Sequence, residues 1–393
     1  MSGPAPLNIQ EGRFDRQERI AGWDQSVLSA AKVLIVGAGA LGNEILKNLS
    51  LLGVGRMLVA DMDDIEFSNL SRTVLFREED LGKSKAEVAA NAAREIYPDG
   101  NIRAFHGNVV YDLGLGVFDW ADIVICGLDN REARLEVNRN CWKTNTPWID
   151  GAIEALSGQM RIFVPPDGAC YECTMSEIDW QLLEARRSCT LLSRSEMEAG
   201  RVPTISTVSS IIAGLECHEA VKWLHGMSHL NGAGVVFNGQ NNEFYTVEYQ
   251  RKDECYSHET FPDPVDLGSG VAEMTVGQLL ERASTDLGND TVIELNRDVL
   301  RELECPQCGT KTEWLTSLGK VPEEKTRCTK CDVLCIPHVL SQLDEECGLD
   351  DRTIAEMGIP PFEILVARNG NEERAYRFDA DAKQVLGGLC NDN

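Results

Sequence analysis

Short apolar runs alternate with stretches whose apolar positions recur every three or four residues. The run Lys32-Val-Leu-Ile-Val-Gly37 stops at a glycine turn and reads as a buried strand. Residues 41–52 then carry helical spacing, and Arg56-Met-Leu-Val-Ala60 is a second strand ending at Asp61. A helix is expected over 83–96, and a strand over 121–126 that ends at Gly127-Leu128-Asp129. Strands alternating with helices predict a parallel sheet covered on both faces. Ligands of such sheets bind beyond the C-terminal strand ends, which is where Gly37, Asp61 and Asp129 fall.

The rhythm breaks at residues 165–203, a polar stretch expected to be a crossover loop. It resumes with a helix over 204–224 and a strand pair over 235–248. Residues 261–270, rich in proline and glycine, read as a linker. Beyond them come a helix (276–283), a strand (291–295) and a hairpin of 362–368 with 374–378 around Asn369-Gly370. The chain thus divides into residues 1–260, the linker, and a smaller α+β unit over 271–393.

Charge narrows the partners. The 393 residues carry 37 basic and 63 acidic side chains, a formal charge of −26. That excess argues against nucleic acid or an anionic membrane surface and for a partner with a basic face. No apolar run reaches the roughly 18 residues of a membrane span, and the N-terminal residues lack a signal-peptide pattern. A soluble, cytoplasmic protein is expected.

Fourteen cysteines are many for a reducing compartment, where paired cysteines mean metal or catalysis rather than disulfides. Cys305/Cys308 and Cys328/Cys331 are C-x-x-C pairs with zinc-ribbon spacing, a closed and therefore structural Zn²⁺ site. Cys170/Cys173 is another C-x-x-C pair and Cys255/His258 is a C-x-x-H pair, and Cys₃His is an accepted tetrahedral zinc set. Cys126, Cys141 and Cys217 lie in apolar periodic segments and are expected in the core.

The turn Gly37-Ala-Gly39-Ala-Leu-Gly42 before a helix suits phosphate, and Asp61 suits a ribose hydroxyl pair. The loop then adds Asp63, Asn69 and Arg72, the next helix adds Lys85, and Asp129 is placed to hold Mg²⁺. Hydride transfer needs no such set of cations and carboxylate, so ATP chemistry is favoured over a redox dinucleotide. Cys189 in Arg186-Arg187-Ser188-Cys189-Thr190 is a candidate nucleophile, because two adjacent arginines stabilise a thiolate.

Arg13-Phe-Asp-Arg16-Gln17, Gly37–Gly42, Asp61–Arg72, Gly82-Lys-Ser-Lys85 and Leu128-Asp129-Asn130 stand in the order found in ubiquitin-activating enzymes. The chain equally resembles the sulfur-carrier adenylyltransferases of molybdopterin and thiamine synthesis, over roughly residues 10–260. The resemblance implies a Rossmann-like, doubly wound adenylation domain with a zinc site and a crossover loop. It implies that Asn69, Arg72 and Lys85 hold the phosphates and that Asp129 binds Mg²⁺. It makes Arg16 an arginine finger for the opposite subunit of a homodimer, and Cys189 the residue that forms a thioester. Thr73 departs from the family, which usually has glutamine there.

The resulting expectation is a ubiquitin-like-protein activating enzyme. It adenylates a C-terminal glycine carboxylate, captures the acyl group on Cys189 and transfers it to a conjugating enzyme recruited by the C-terminal unit. The alternative is a sulfur-carrier adenylyltransferase. An inactive scaffold is disfavoured because the nucleotide residues are intact. Gly387-Gly388 is read as a coincidental likeness to a ubiquitin-like tail.

Overall fold

The computed structural model describes residues 12–181 and 203–390. Five strands, β1 (Lys32–Val36), β2 (Arg56–Asp61), β3 (Asn101–His106), β4 (Ile123–Cys126) and β5 (Trp148–Glu154), run parallel in the order β3-β2-β1-β4-β5. The sheet is mixed rather than wholly parallel. Strands β6 (Ser157–Phe163), β7 (Ala233–Asn238) and β8 (Glu243–Glu248) extend it antiparallel beyond β5.

Alternation along β1 assigns its residues to two cores. Val33 and Ile35 pack with Ile45, Leu49, Ala89 and Ile212, on helices Ala40–Leu52, Lys85–Ile96 and Ser206–Leu224. Leu34 and Val36 face Val117, Phe118, Leu135 and Trp142, on helices Leu115–Trp120 and Arg131–Lys143. A strand buried on both faces reads as an uninterrupted apolar run, which is why residues 33–36 announced it. Cys126, Cys141 and Cys217 are buried in these cores as expected. Among the described residues no helix is long and apolar enough to cross a membrane.

A second sheet has six strands: β9 (Val265–Asp266), β10 (Val292–Glu304), β11 (Lys311–Ser317), β12 (Ile336–Leu343), β13 (Ile364–Asn369) and β14 (Glu372–Arg377). Their order is β11-β10-β13-β14-β9, with β12 also on β10. Helix Val276–Leu287 starts at a capping box of Thr275 and Gln278 and packs Val276, Leu279 and Ala283 into this unit's core. Strand β10 outruns the expected five residues because its far half carries the cysteine ribbon between β11 and β12.

The stretch 261–270, expected as a linker, is largely built in. Val265–Asp266 pair in parallel with β14, Phe261 N–H donates to the Lys143 carbonyl, and the Lys143 ammonium lies 5.0 Å from the Phe261 ring centroid. The two units share a polar seam. Leu115 N–H donates to Glu363 at 2.9 Å, the Lys143 ammonium reaches Asn296 at 2.9 Å, and Arg377 pairs with Asp119. The chain's end returns to the first unit, where Val385, Leu386 and Leu389 join the core behind β1, and Arg103 donates to the Gln384 carbonyl. Gly387 is packed against the Arg103 side chain, unlike a free ubiquitin-like tail.

Candidate active site and metal centres

The glycine turn is shaped by close backbone approach. Gly37 has φ +93°, and a Cβ there would meet the Gly127 carbonyl oxygen at 2.7 Å; a Cβ on Gly42 would meet the Gly37 carbonyl oxygen at 1.8 Å. Gly39 differs: a Cβ there would meet nothing within 4 Å. It opens onto free space at the N-cap of helix Ala40–Leu52, where no side chain takes up the helix N–H groups. That end is suited to phosphate by its exposed donors and by the helix dipole.

Asp61, the last residue of β2, accepts from Ala38 N–H at 2.6 Å and from Asp63 N–H at 2.8 Å. Burial raises its carboxyl above the ordinary range, against the lowering effect of those two donors. Asp61 thereby ties the glycine turn to its own loop. Asn43, which the sequence reading passed over, makes the second tie. It is fully buried, donates to the Ala38 carbonyl at 2.7 Å and accepts from Leu75 N–H at 2.9 Å. Its only signal was an amide in the first turn of an otherwise apolar helix face.

Between these ties runs a short 3₁₀ helix, Phe67–Ser71, in which Asn69 is buried and accepts from Glu66 N–H at 2.9 Å. Arg72 follows, its guanidinium donating to the Ser68 carbonyl at 2.7 Å. Thr73 is buried and donates to the Asn69 carbonyl, so it serves the loop's own packing. Lys85 starts the next helix with its ammonium 2.7 Å from Asp63. Asp129 lies exposed beyond β4, and among the described residues no cation pairs with it; the Asn130 amide is 3.4 Å away. A free carboxylate at the strand ends is a fitting ligand for a hard cation such as Mg²⁺.

Arg16 is exposed and far from this edge. Its neighbours Phe14 and Gln17 pack at Gly53 and Leu52, the opposite end of the helix that starts at the glycine turn. A helix of that length spans about 20 Å. Cys189 lies outside the described residues.

Behind Asp129 is a buried ionic group that sequence reasoning missed. Asp150, the third residue of β5 and fully buried, accepts from Arg134 Nε at 2.7 Å through one oxygen and from Arg161 through the other. Arg134 also donates to the carbonyls of Leu128 and Gly151, the latter at 3.1 Å, and Arg161 reaches the Thr174 hydroxyl at 3.2 Å. Burial opposes the Arg134 charge, and the Asp150 carboxylate more than offsets it. Glu216 lies nearby, and among the described residues neither of its carboxyl oxygens has a hydrogen-bond partner; burial first and then the Asp150 charge hold it well above the carboxylate range. The signal was present: an aspartate inside the apolar strand 148–153 requires a buried partner.

The first cysteine set assembles across 85 residues. Cys170, Cys173, Cys255 and His258 place their ligand atoms within 4.8 Å of one another. Cys170 Sγ lies 3.7 Å from Cys173 Sγ and 3.5 Å from Cys255 Sγ, and His258 Nε2 lies 3.3 Å from Cys173 Sγ. Tetrahedral zinc with bonds of about 2.3 Å puts sulfurs about 3.8 Å apart, so the donors fit Zn²⁺. Contacts among the three thiols push Cys173 down and Cys170 and Cys255 up, as expected of sulfurs packed around one point. Trp142 stacks on His258 at 5.3 Å and fixes its ring.

The second set, Cys305, Cys308, Cys328 and Cys331, is equally close. Its two halves are matching knuckles. Cys305 N–H bonds the Thr310 carbonyl as Cys328 N–H bonds the Val333 carbonyl, and Gly309 and Asp332 take the same left-handed turn, φ +65° and +53°. A third group, Glu302, Glu304 and His338, already holds the Lys311 ammonium and carries no metal argument.

The ThiF family model matches residues 14–257. The chain belongs to the ThiF family, within the E1-like adenylyltransferase superfamily. It is 29% identical over 247 residues to the sulfur carrier protein ThiS adenylyltransferase of Escherichia coli, covering 62% of this chain and 93% of that one. It is 30% identical over 298 residues to the NEDD8-activating enzyme E1 catalytic subunit of Dictyostelium discoideum, covering 57% of this chain and 67% of that one. A crystal structure of E. coli MccB with ATP shares the fold at TM-score 0.53 and 22% identity, over 64% of this chain and 75% of that one.

Proposed function

We propose that this chain uses ATP to activate the C-terminal carboxylate of a ubiquitin-like protein. The observation that carries the reading is that Asp61, the Asp63–Lys85 pair and Asp129 follow the C-terminal ends of β2 and β4 beside the glycine turn, with Asn43 bonding that turn to the Leu75 end of the loop that holds Arg72. Asp61 accepts from the ribose hydroxyls, while Asn69, Arg72 and Lys85 hold phosphate oxygens. Asp129 is the residue for Mg²⁺, which supplies charge neutralisation on the leaving phosphates when bound. A substrate carboxylate oxygen attacks the α-phosphorus, the bond to the β-phosphate breaks, and pyrophosphate departs with the electron pair. Developing charge is met by fixed cations rather than by reorganising water.

Arg16, about 20 Å from its own glycine turn, serves the site of a second copy, so the working form is a homodimer. The Cys189 thiolate then attacks the acyl carbonyl, releasing AMP and leaving a thioester that passes to a conjugating enzyme's cysteine. The second unit, held rigid by its zinc ribbon, is the surface for that enzyme.

The test combines pyrophosphate exchange with a non-reducing gel after incubation with Mg²⁺, ATP and a β-grasp protein ending in glycine. A thiol-sensitive adduct lost in Cys189→Ala, with exchange retained, supports the reading; absence of exchange with any such protein overturns it. The sulfur-carrier reading is the alternative, favoured by the alignment with the E. coli ThiS adenylyltransferase over 93% of that protein's length. Exchange without an adduct at Cys189 decides for it.

A further inference from the structure

Asp129 stands two residues before the first residue of the helix Arg131–Lys143, on a turn whose conformation has three restraints. Gly127 N–H donates to the Val36 carbonyl at 2.9 Å, holding the turn to β1. Asn130 caps the helix by accepting from Ala133 N–H at 2.8 Å. Between them, the Leu128 carbonyl accepts from Arg134 Nη2. Leu128 is the residue directly before Asp129, so this bond sets the plane of the peptide that carries the candidate ligand.

The guanidinium is itself unable to swing. Its Nε is engaged by Asp150 at 2.7 Å and its Nη2 also reaches the Gly151 carbonyl at 3.1 Å. Asp150 is in turn gripped from its other side by Arg161, and its side chain is fully buried. A rigid planar fork held at both ends is a better anchor than an ammonium, which makes point contacts. Every described hydrogen bond that Arg134 makes runs to Asp150 or to the Leu128 and Gly151 carbonyls.

We propose that Arg134, pinned by Asp150, is the positioning residue that presents the Asp129 carboxylate to Mg²⁺. The inference rests on the reading of Asp129 given above. Outer partners of this kind change metal affinity by about 10- to 100-fold when removed. Asp61, the candidate ribose residue, ends β2 on the other side of β1, and its described bonds run to Ala38 N–H and Asp63 N–H rather than to Arg134.

Arg134→Lys keeps the charge opposite Asp150 and loses the fork. The full chain is titrated with a non-hydrolysable ATP analogue by calorimetry, with and without Mg²⁺, beside Asp129→Ala. Expected for Arg134→Lys are unchanged binding of the metal-free analogue and a Mg²⁺ half-saturation raised about tenfold or more, with circular dichroism and zinc content preserved. A merely structural role would weaken both forms of binding alike. A wild-type Mg²⁺ response in Arg134→Lys, with that response lost in Asp129→Ala, overturns the positioning role alone. A Mg²⁺ response retained in Asp129→Ala overturns the reading of Asp129 and this inference with it. If Arg134→Lys does not fold, Arg134→Gln, which leaves Asp150 paired with Arg161, is measured against the same criteria.

Discussion

The buried Lys85 ammonium lies 2.7 Å from the carboxylate of Asp63, whose side chain is 55% exposed. Asp63 thus sets a carboxylate oxygen against the Lys85 ammonium at the mouth of the loop. With one partner in solvent the pair adds little stability, about 1 kcal/mol at most. Lys85→Ala is therefore expected to leave the melting temperature within a few degrees and to lower pyrophosphate exchange at least about 100-fold. Exchange at the wild-type rate would remove Lys85 from the phosphate site.

Two bound zinc ions per chain are expected by native mass spectrometry, because two sets of four donors are assembled. Cys305→Ser should lose one ion and keep pyrophosphate exchange, since the ribbon lies in the second unit. Cys173→Ser should lose the other and lower the melting temperature, because Cys170 and Cys173 sit in the first unit's core. A metal-replete chain carrying no zinc contradicts both assignments.

Glu216 gives a pH dependence whose sign is fixed by its raised carboxyl. In the unfolded chain it ionises near the ordinary glutamate value of about 4.3. In the native state it holds its proton to higher pH, so its contribution to stability is complete below that value. The contribution is lost as pH rises towards the folded value, because the unfolded state alone releases a proton. Glu216→Gln should flatten the fall in melting temperature from pH 5 to pH 8 and stabilise the chain at the upper end. A fall equally steep in the variant and the wild type would show that Glu216 is not protonated in the native state.

The seam between the units depends on Glu363, which is 1% exposed, accepts from Leu115 N–H and pairs with Arg297 at 3.4 Å. Glu363→Ala leaves a buried guanidinium without its anion and should cost about 3 kcal/mol in denaturant unfolding. Because the seam joins both cores, the loss should appear as one shifted transition. Unfolding of the wild type in two separate transitions would contradict such coupling.

Much of the first unit was legible because its signals are local. A strand buried on both faces is a run of apolar residues, a phosphate turn needs glycine where Gly37 takes φ +93°, and loop cations follow within a few positions. The ligand spacing of the ribbon is likewise a local property. Strand β3, on the sheet's outer edge, was missed because Asn-Ile-Arg-Ala-Phe-His is only half apolar. The pairing of Val265 with β14 was not legible, because proline and glycine mark chain direction changes and say nothing of what a strand of two residues will find.

The sequence by itself determined the strands and helices flanking the glycine turn, the acidic charge, the basic residues in the loop that follows, and which cysteines come in pairs. Each of these is settled by neighbours a few residues apart. Only the tertiary structure decided that Cys170 meets His258, that Asn43 joins the glycine turn to Leu75, and that Asp150 pins Arg134 behind Asp129. It also decided that the neighbours of Arg16 pack at the far end of the helix that starts at the glycine turn. Those relations join residues brought together by burial of shared apolar surface and by the need to pair every buried charge, and neither demand is written in local spacing.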